Sequence, residues 1–201
     1  MTSATSRKQK AAETEGALKA AARRVFARQG YLNTKITDIT AEAGRAAGSF
    51  YNHFASKEEL LEALLVDMLA AVDEGVAEPE HDPDFSKRSA LRWHVASFWR
   101  FYREHLPEMV ALRQAAMVNE DFGRRLQQMM SADQAHWVGH LAHLAHLPGP
   151  PDLVTSAISA LLDQFAHTWL VAGGNGRDLP DDEAIDLLTD FIHHGITGRG
   201  P

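Results

Sequence analysis

The side chains best suited to recognising another molecule lie in one run, TKITDITAEAGRAAGSFYNHFASKEEL, at residues 34–60. Within it, residues 47–53 combine small side chains with hydroxyl, amide and imidazole groups, which donate and accept hydrogen bonds. Phe50 and Phe54 are four residues apart and would point together to the opposite, inner side. A small, polar outer face is what a helix needs to enter a DNA major groove, which is about 12 Å wide.

A second short element is needed to hold this face in place. Ile36, Ile39 and Ala43 recur at helical spacing, which predicts a short helix with one apolar side. Gly44 follows where a helix ends in a left-handed residue, a conformation that glycine adopts without steric cost. The run therefore predicts a helix-turn-helix unit, with residues 47–53 as its second helix.

This segment resembles the DNA-binding region of TetR/AcrR-type transcriptional regulators. The match in motif covers roughly the first third of the chain, and beyond it only length and helical character agree. The resemblance implies an all-α fold, with an N-terminal three-helix helix-turn-helix domain followed by a helical ligand-binding and dimerisation domain. The matching residues are Gly30-Tyr31, Thr34, Ile36, Asp38-Ile39, Ala43-Gly44, Gly48-Ser49-Phe50-Tyr51, His53-Phe54 and Ser56-Lys57-Glu58-Glu59-Leu60.

The chain departs from the family pattern at three positions. Lys35 and Ala46 stand where the family often has a hydroxyl residue that caps a short helix, and Thr34 or Thr37 would replace the first cap. Arg45 replaces a small aliphatic residue in the turn. It either reaches DNA or is a solvated turn residue.

The resemblance implies which residues contact DNA. Tyr51, His53 and Lys57 match backbone-contacting positions, and such contacts position a protein without reading sequence. Base reading would fall to Arg45 and its neighbours in the second helix, with Gly48 allowing close approach. The predicted DNA-binding residues are Thr34, Lys35, Arg45, Ala47, Gly48, Ser49, Tyr51, Asn52, His53 and Lys57.

The charge of the chain is unevenly divided. The 201 residues carry a net charge of −7, yet residues 1–60 hold ten lysines and arginines against six acids, a net +4. Residues 61–201 hold ten against twenty-one, a net −11. Positive charge is thus concentrated beside the helix-turn-helix, where phosphates would attract it.

Several classes of protein are disfavoured by what the sequence lacks. It has no cysteine, no apolar run as long as the roughly 18 residues of a membrane helix, and no apolar secretory signal. We expect a cytoplasmic protein without disulfides or membrane contact. We expect no enzyme, since a Gly-x-Ser-x-Gly elbow is absent, as are the paired Glu-x-x-His motifs of helical di-metal enzymes.

The organisation predicted along the chain is all-α with about nine helices, because no strand-like alternation occurs. We expect a disordered basic arm at 1–12, a DNA-binding domain at 13–62 and a ligand-binding and dimerisation domain at 63–201. The arm either follows the DNA or takes no part in binding. Ser56 and Glu59 form the capping-box pattern that starts the fourth helix. Other helices are predicted at 14–29, 86–105, from 107, and at 120–146, 153–172 and 181–197.

The resemblance also implies an effector site among the helices of the second domain. Aromatic and methionine side chains suit an adaptable apolar pocket, although each also fits an ordinary core. The predicted pocket residues are Trp93, Phe98, Phe101, Tyr102, Met109, Met117, Met130, Trp137, Phe165 and Trp169.

The last two helices are apolar over a wide arc, so each must be buried on more than one side. In the family they meet their copies to form a four-helix interface, although a monomeric core would show the same pattern. The predicted interface residues are Ile158, Leu162, Phe165, Leu188, Phe191 and Ile192.

A row of histidines offers a metal site as an alternative. His136, His140 and His143 fall at i, i+4 and i+7, and the first pair has the spacing that can place two imidazoles on one metal ion. Asp133 or His167 would complete the set. The histidines would otherwise line an exposed stripe beside leucines.

These patterns together predict a homodimeric regulator, in this family usually a repressor. It would bind a palindromic operator in double-stranded DNA and leave it when a small, mostly apolar effector binds. A metal-responsive regulator using the histidine row is the alternative. No cofactor is expected.

Overall fold

The computed structural model describes residues 2–76 and 81–198. Side chains are described at all of these positions except 2–6, 71–76 and 131–136. All regular elements in these ranges are helical, which confirms the all-α prediction. No helix among the described residues is both long and apolar enough to cross a membrane. The α-helices are α1 Thr2–Gln29, α2 Ile36–Glu42, α3 Ala47–Phe50, α4 Lys57–Val76, α5 Arg88–Glu104, α6 Leu106–Val118, α7 Glu120–Leu141, α8 Pro151–Ala166 and α9 Asp181–Thr197.

The chain forms two compact units that differ from the predicted domains. The first comprises Met1–Asp73 and Pro107–Leu126, and the second comprises Glu74–Leu106 and Gln127–Pro201. Most of α6 and the start of α7 therefore belong to the same unit as the helix-turn-helix. The predicted ligand-binding and dimerisation domain at 63–201 is divided between the units, and its role stays a prediction.

The N-terminal segment differs from the predicted disordered arm. Helix α1 begins at Thr2, so residues before 13 continue the helix expected at 14–29. The physical reason lies in the run RKQKAA at residues 7–12, which consists of good helix formers.

The core of the first unit is built on an apolar stripe of α1. Its members are between 0 and 3 % exposed, and α6 contributes Ala111, Leu112 and Ala115, which are also buried. Burying such faces is the main stabilising term for helices that are marginal in isolation. The stripe of α1 consists of Leu18, Ala21, Ala22, Val25 and Phe26.

In the second unit, charged pairs run along the contact between α5 and α9. Arg88 Nε lies 2.6 Å from Asp190 Oδ1, and Arg92 Nε lies 2.8 Å from Asp186 Oδ1. Arg88 also reaches Asp186, at 3.3 Å. The hydrogen bond from Arg92 is the main cause that lowers the pKa of Asp186, and the bond from Arg88 does the same for the pKa of Asp190.

The predicted seventh helix is too long. Helix α7 ends at Leu141 rather than at 146, and the chain turns through bonds from Ala142 N–H to Gly139 O and from Leu144 N–H to Leu141 O. Gly139 weakens the last helical turn because glycine loses more backbone entropy than other residues. His143 consequently lies outside the helix.

The eighth helix also differs from its prediction. Helix α8 begins at Pro151, where the ring suits the first turn, and passes after Ala166 into a π-helix at His167–Val171. The ninth helix, at 181–197, agrees with the prediction.

We predict that Arg92→Met lowers the free energy of unfolding at pH 7, because it removes a partner of Asp186. The pKa of Asp186 is depressed in the folded protein, so its contribution is present above the unfolded pKa of about 4. It is lost as the pH falls through the folded pKa. The difference between parent and variant in urea denaturation should therefore be largest at neutral pH and shrink in acid.

The matched control is Arg100→Met. Arg100 is an exposed residue of α5 whose guanidinium donates a hydrogen bond to the hydroxyl of a serine on the same helix. It should change the urea midpoint little at any pH. If Arg92→Met lowers the free energy of unfolding as much in acid as at neutral pH, the ion pair between Arg92 and Asp186 does not stabilise the fold.

Candidate nucleic-acid interface

The turn between α2 and α3 is set by one left-handed glycine. Gly44 has φ +64°, and its N–H donates to Ala41 O at 3.0 Å. The next N–H, of Arg45, donates to Thr40 O at 2.8 Å. These two bonds satisfy carbonyls at the end of α2 and form a Schellman motif. The predicted left-handed end at Gly44 is confirmed.

Helix α3 is a single turn, shorter than the predicted 47–53. The chain tightens after Phe50, where Asn52 N–H bonds to Ser49 O at 3.3 Å, although Phe54 N–H still reaches Phe50 O at 2.9 Å. Phe50 and Phe54 are 0 and 4 % exposed, which confirms their inward orientation. Ala46 precedes the helix without a side-chain cap, so α3 depends on its neighbours for its position.

The start of α2 is capped by Asp38 and not by either of the predicted threonines. Asp38 Oδ2 accepts hydrogen bonds from Lys35 N–H at 2.9 Å and from Gln29 Nε2 at 3.1 Å. The backbone bond from Lys35 is the main cause that lowers the pKa of Asp38. Neither Thr34 nor Thr37 supplies the cap, and an acid three residues after the cap position was the available signal.

Most of the predicted DNA-binding residues are exposed, and all of them belong to the first unit. Tyr51 is the largest of them and is 62 % exposed. Ser49 and His53 are half-buried, as is Lys57, whereas Thr34 is buried. The exposed members are Lys35, Arg45, Ala47, Gly48, Tyr51 and Asn52.

Thr34 and Lys57 are engaged within the protein. The Thr34 hydroxyl donates to Gly30 O at 2.6 Å. Lys57 Nζ donates to Tyr31 O and Thr34 O, both at 2.8 Å, and lies 3.9 Å from the centroid of the Tyr31 ring. Burial lowers the pKa of Lys57. Both side chains thus fix the turn between α1 and α2, and their contact with DNA stays a prediction.

Tyr31 joins this turn to two further helices. Its N–H donates to Gln114 Oε1 of α6 at 3.0 Å, and its hydroxyl donates to the carboxylate of Glu58 in α4. Burial, followed by the hydrogen bond and the charge of Glu58, raises the pKa of Tyr31 above its usual range. The motif marked Tyr31 as significant, but no sequence signal connects it with a glutamine 83 residues away.

An ion pair between a partly exposed arginine and a buried glutamate joins α6 to α1. Arg23 Nε lies 2.7 Å from Glu108 Oε1, and Glu108 is 3 % exposed. A second pair joins Arg125 of α7 to Glu62 of α4 at 2.6 Å. These contacts make α6 and the first turns of α7 part of the structure that positions the helix-turn-helix.

The predicted effector residues do not form one group. Met109 and Met117 belong to the first unit, and Met117 is 80 % exposed. In the second unit Phe98 packs against the buried Tyr102, with ring centroids 5.9 Å apart. Phe101 packs against His105 at 4.8 Å.

Other members of this set belong to two further clusters in the second unit. Phe165 contacts Trp169 of the π-helix, with centroids 5.9 Å apart. Trp93 and Trp137 each contact His94, at 4.9 and 5.7 Å. Met130 is half-buried in α7. Their roles in effector binding stay predictions.

Helices α8 and α9 present both a buried and an exposed apolar side. Four predicted interface residues are between 2 and 6 % exposed within the chain itself, Phe165 is half-buried, and Phe191 is 69 % exposed. Phe191 lines an open groove of about 540 Å³ between the two helices. The four buried residues are Ile158, Leu162, Leu188 and Ile192.

The predicted histidine row on the seventh helix is wrong, because His143 lies beyond its end and is exposed. The side chain of His136 lies outside the described residues. His140 is instead buried beside His81 and His94, and ring nitrogens of these three residues lie within 4.8 Å of one another. Spacing along the sequence does not indicate this set, because its members come from three separate segments.

The α2–turn–α3 geometry and the exposed polar face of α3 are those of a helix-turn-helix unit. Residues 18–64 match the family model for bacterial regulatory proteins of the tetR family. Over 95 % of the chain, 27 % of residues are identical to the probable HTH-type transcriptional regulator ArpR of Pseudomonas putida, of which 92 % is covered. The HTH-type transcriptional regulator TtgR, also of Pseudomonas putida, matches with the same identity and coverage.

Solved structures of similar fold include TetR-like regulators. A TetR-like transcriptional regulator from Rhodococcus sp. RHA1 has a TM-score of 0.69 and 26 % identity, covering 92 % of this chain and 97 % of that one. FadR from Bacillus subtilis, in complex with stearoyl-CoA, shares the fold with a TM-score of 0.74 at 17 % identity, over 90 and 98 % of the two chains. Residues 18–64 thus carry a tetR-family domain, and the chain as a whole shares the fold of TetR-like regulators.

We predict opposite stability effects for two glycine substitutions in this region. Gly44→Ala should lower the free energy of unfolding by about 1–2 kcal/mol, because its left-handed φ is strained for an L-residue. Gly48→Ala should raise it by up to about 1 kcal/mol, since Gly48 is helical and alanine favours a helix. A Cβ there would meet no atom within 4 Å. Urea denaturation measures both, and a Gly44→Ala protein as stable as the parent would contradict the turn geometry.

Proposed function

We propose that the chain is a homodimeric repressor that binds a palindromic operator and leaves it when a small, mostly apolar effector binds. The observation that carries the DNA part is the accessible face around α3, on which small residues stand beside Tyr51 and Asn52. Small side chains let the helix approach the floor of the major groove closely, and the polar groups beside them can hydrogen-bond to base edges and phosphates.

Two exposed cations flank this face. Lys35 precedes α2 and Arg45 lies in the turn before α3, and both are exposed. Lys35 suits a phosphate because its ammonium is a mobile point charge, whereas the planar guanidinium of Arg45 also suits the paired acceptors of guanine. We therefore assign Lys35 to positioning and Arg45 to base reading.

The proposed effector is apolar because the second unit is rich in half-buried aromatic side chains, including Trp93, Trp137 and Trp169. The ligand in the FadR structure is stearoyl-CoA, a molecule with a long apolar chain. A helix transmits displacement along its length, and α4 and α7 each contain residues of both units. Effector binding would act through these helices, provided that it favours a conformation unsuited to DNA.

The proposed dimer uses the groove between α8 and α9. Phe191, Leu187 and Leu153 are 69, 53 and 62 % exposed on these two helices, and the groove is lined almost wholly by apolar residues. A second copy of the same face would cover them by two-fold symmetry. Such a dimer would also present two helix-turn-helix units to the two halves of a palindrome.

The DNA proposal is tested with purified protein and a labelled duplex from the region upstream of its own gene, over a range of salt concentrations. Lys35→Ala should weaken binding to this duplex and to random DNA alike. It should reduce the slope of log affinity against log salt by about 1, because one phosphate contact is lost. Arg45→Ala should weaken the specific complex more than the random one.

The control for both variants is Arg100→Ala, which removes an exposed cation from the second unit. It should leave affinity and salt slope unchanged. If Lys35→Ala and Arg45→Ala also leave them unchanged, the assignment of this face to DNA is wrong.

For the dimer, we predict that Phe191→Glu converts a particle of twice 22.2 kDa into one of 22.2 kDa in light scattering. A buried carboxylate without a partner is too costly for an interface core. The matched control is Val118→Glu, since Val118 is 63 % exposed outside α8 and α9. A parent protein of 22.2 kDa, or a dimeric Phe191→Glu, would refute this interface.

A further inference from the structure

Three histidines from separate segments meet inside the second unit. His81 precedes α5, His94 lies within α5, and His140 lies in the last turn of α7. Their ring centroids are 5.0, 5.1 and 4.7 Å apart for the pairs 81–94, 81–140 and 94–140. His94 and His140 are 6 and 4 % exposed, and His81 is half-buried. One ring nitrogen from each lies within 4.8 Å of the other two.

A backbone contact orients the central ring. His94 Nδ1 lies 2.9 Å from Ala90 O. A carbonyl oxygen only accepts, so Nδ1 carries the proton and the lone pair of this imidazole is on Nε2. Metal-binding histidines are commonly oriented in this way, with one nitrogen donating to a carbonyl and the other facing the ion.

Aromatic side chains enclose the histidine cluster. Phe85 is fully buried and packs against His94 and His140, at 4.8 and 4.9 Å between centroids. Trp93 packs against His94 from another side, at 4.9 Å.

We propose that His81, His94 and His140 bind a divalent transition-metal ion, with zinc as the expected occupant. Three imidazole nitrogens are a typical ligand set for zinc, cobalt and nickel, and leave one position of a tetrahedron for water or for an effector atom. In such a site the nitrogens are about 3.3 Å apart, because each zinc–nitrogen distance is about 2.0–2.1 Å. The nitrogens therefore approach one another by at most about 1.5 Å when the ion binds.

This site shares only His140 with the row expected from the sequence. It also concerns metal binding alone, which is measured without DNA. Its failure and a failure of the proposed repressor function are thus separate results.

The test is titration of tag-free, chelator-treated, full-length protein with Co²⁺ at neutral pH, followed by visible absorption. We expect one ion per chain, the strong absorption of a four-coordinate site, and displacement by Zn²⁺. His81→Gln and His140→Gln should each lose more affinity than the roughly 10–100-fold that follows loss of an outer partner. His143→Gln is the matched control and should bind as the parent does, because His143 is exposed and outside the cluster.

Folding of the variants is checked by circular dichroism without metal, and His81→Gln is the safer variant because His81 is half-buried. If a variant does not fold, histidine side-chain NMR of the parent protein with and without Zn²⁺ still tests whether the three histidines bind the metal. Zinc should shift the ring nitrogens of three histidines in the parent. Absent Co²⁺ absorption, or equal binding by the parent and His81→Gln, would overturn the proposal and leave an aromatic core cluster.

Discussion

The position of the helix-turn-helix depends on the ammonium group of Lys57. It closes the turn between α1 and α2 by donating to the carbonyls of Tyr31 and Thr34 while resting on the Tyr31 ring. A lysine in this place satisfies two backbone acceptors. Burial lowers the pKa of Lys57, and the nearby carboxylate of Glu58 and the ring face partly offset this effect. Because α3 is one turn long and lacks a side-chain cap, it has little stability of its own. The turn before α2 therefore determines where α3 lies.

The same turn brings α6 into the first unit. The Tyr31 N–H is bound by Gln114, and Arg23 neutralises the buried Glu108 earlier in α6. Leaving this buried carboxylate without its arginine would be unfavourable, so the pair favours the α1–α6 contact. The functional DNA-binding module is thus larger than the matched residues 18–64. It includes α6, a helix from the middle of the chain.

Much of the helix-turn-helix could be predicted from neighbouring residues in the sequence. The left-handed Gly44, the inward Phe50 and Phe54, and the apolar stripe of α1 follow from spacing and backbone preference alone. The contacts that position these elements are distant in sequence, and nothing at Tyr31 indicates Gln114. Helix ends were less predictable, since the apolar pattern after Leu141 continues although the helix does not.

The histidines illustrate why spacing alone misassigns a site. A helix continuing past Leu141 would have placed His143 one turn beyond His140 on the same face, but the turn at Ala142 separates them. Packing then decides which rings meet, and Phe85 holds His140 against His94. Imidazoles are costlier to bury than leucine, because their polar nitrogens must leave water. Apolar residues would fill this part of the core more stably, so packing alone does not favour three imidazoles there. Coordination of a metal ion, as proposed above, accounts for the arrangement.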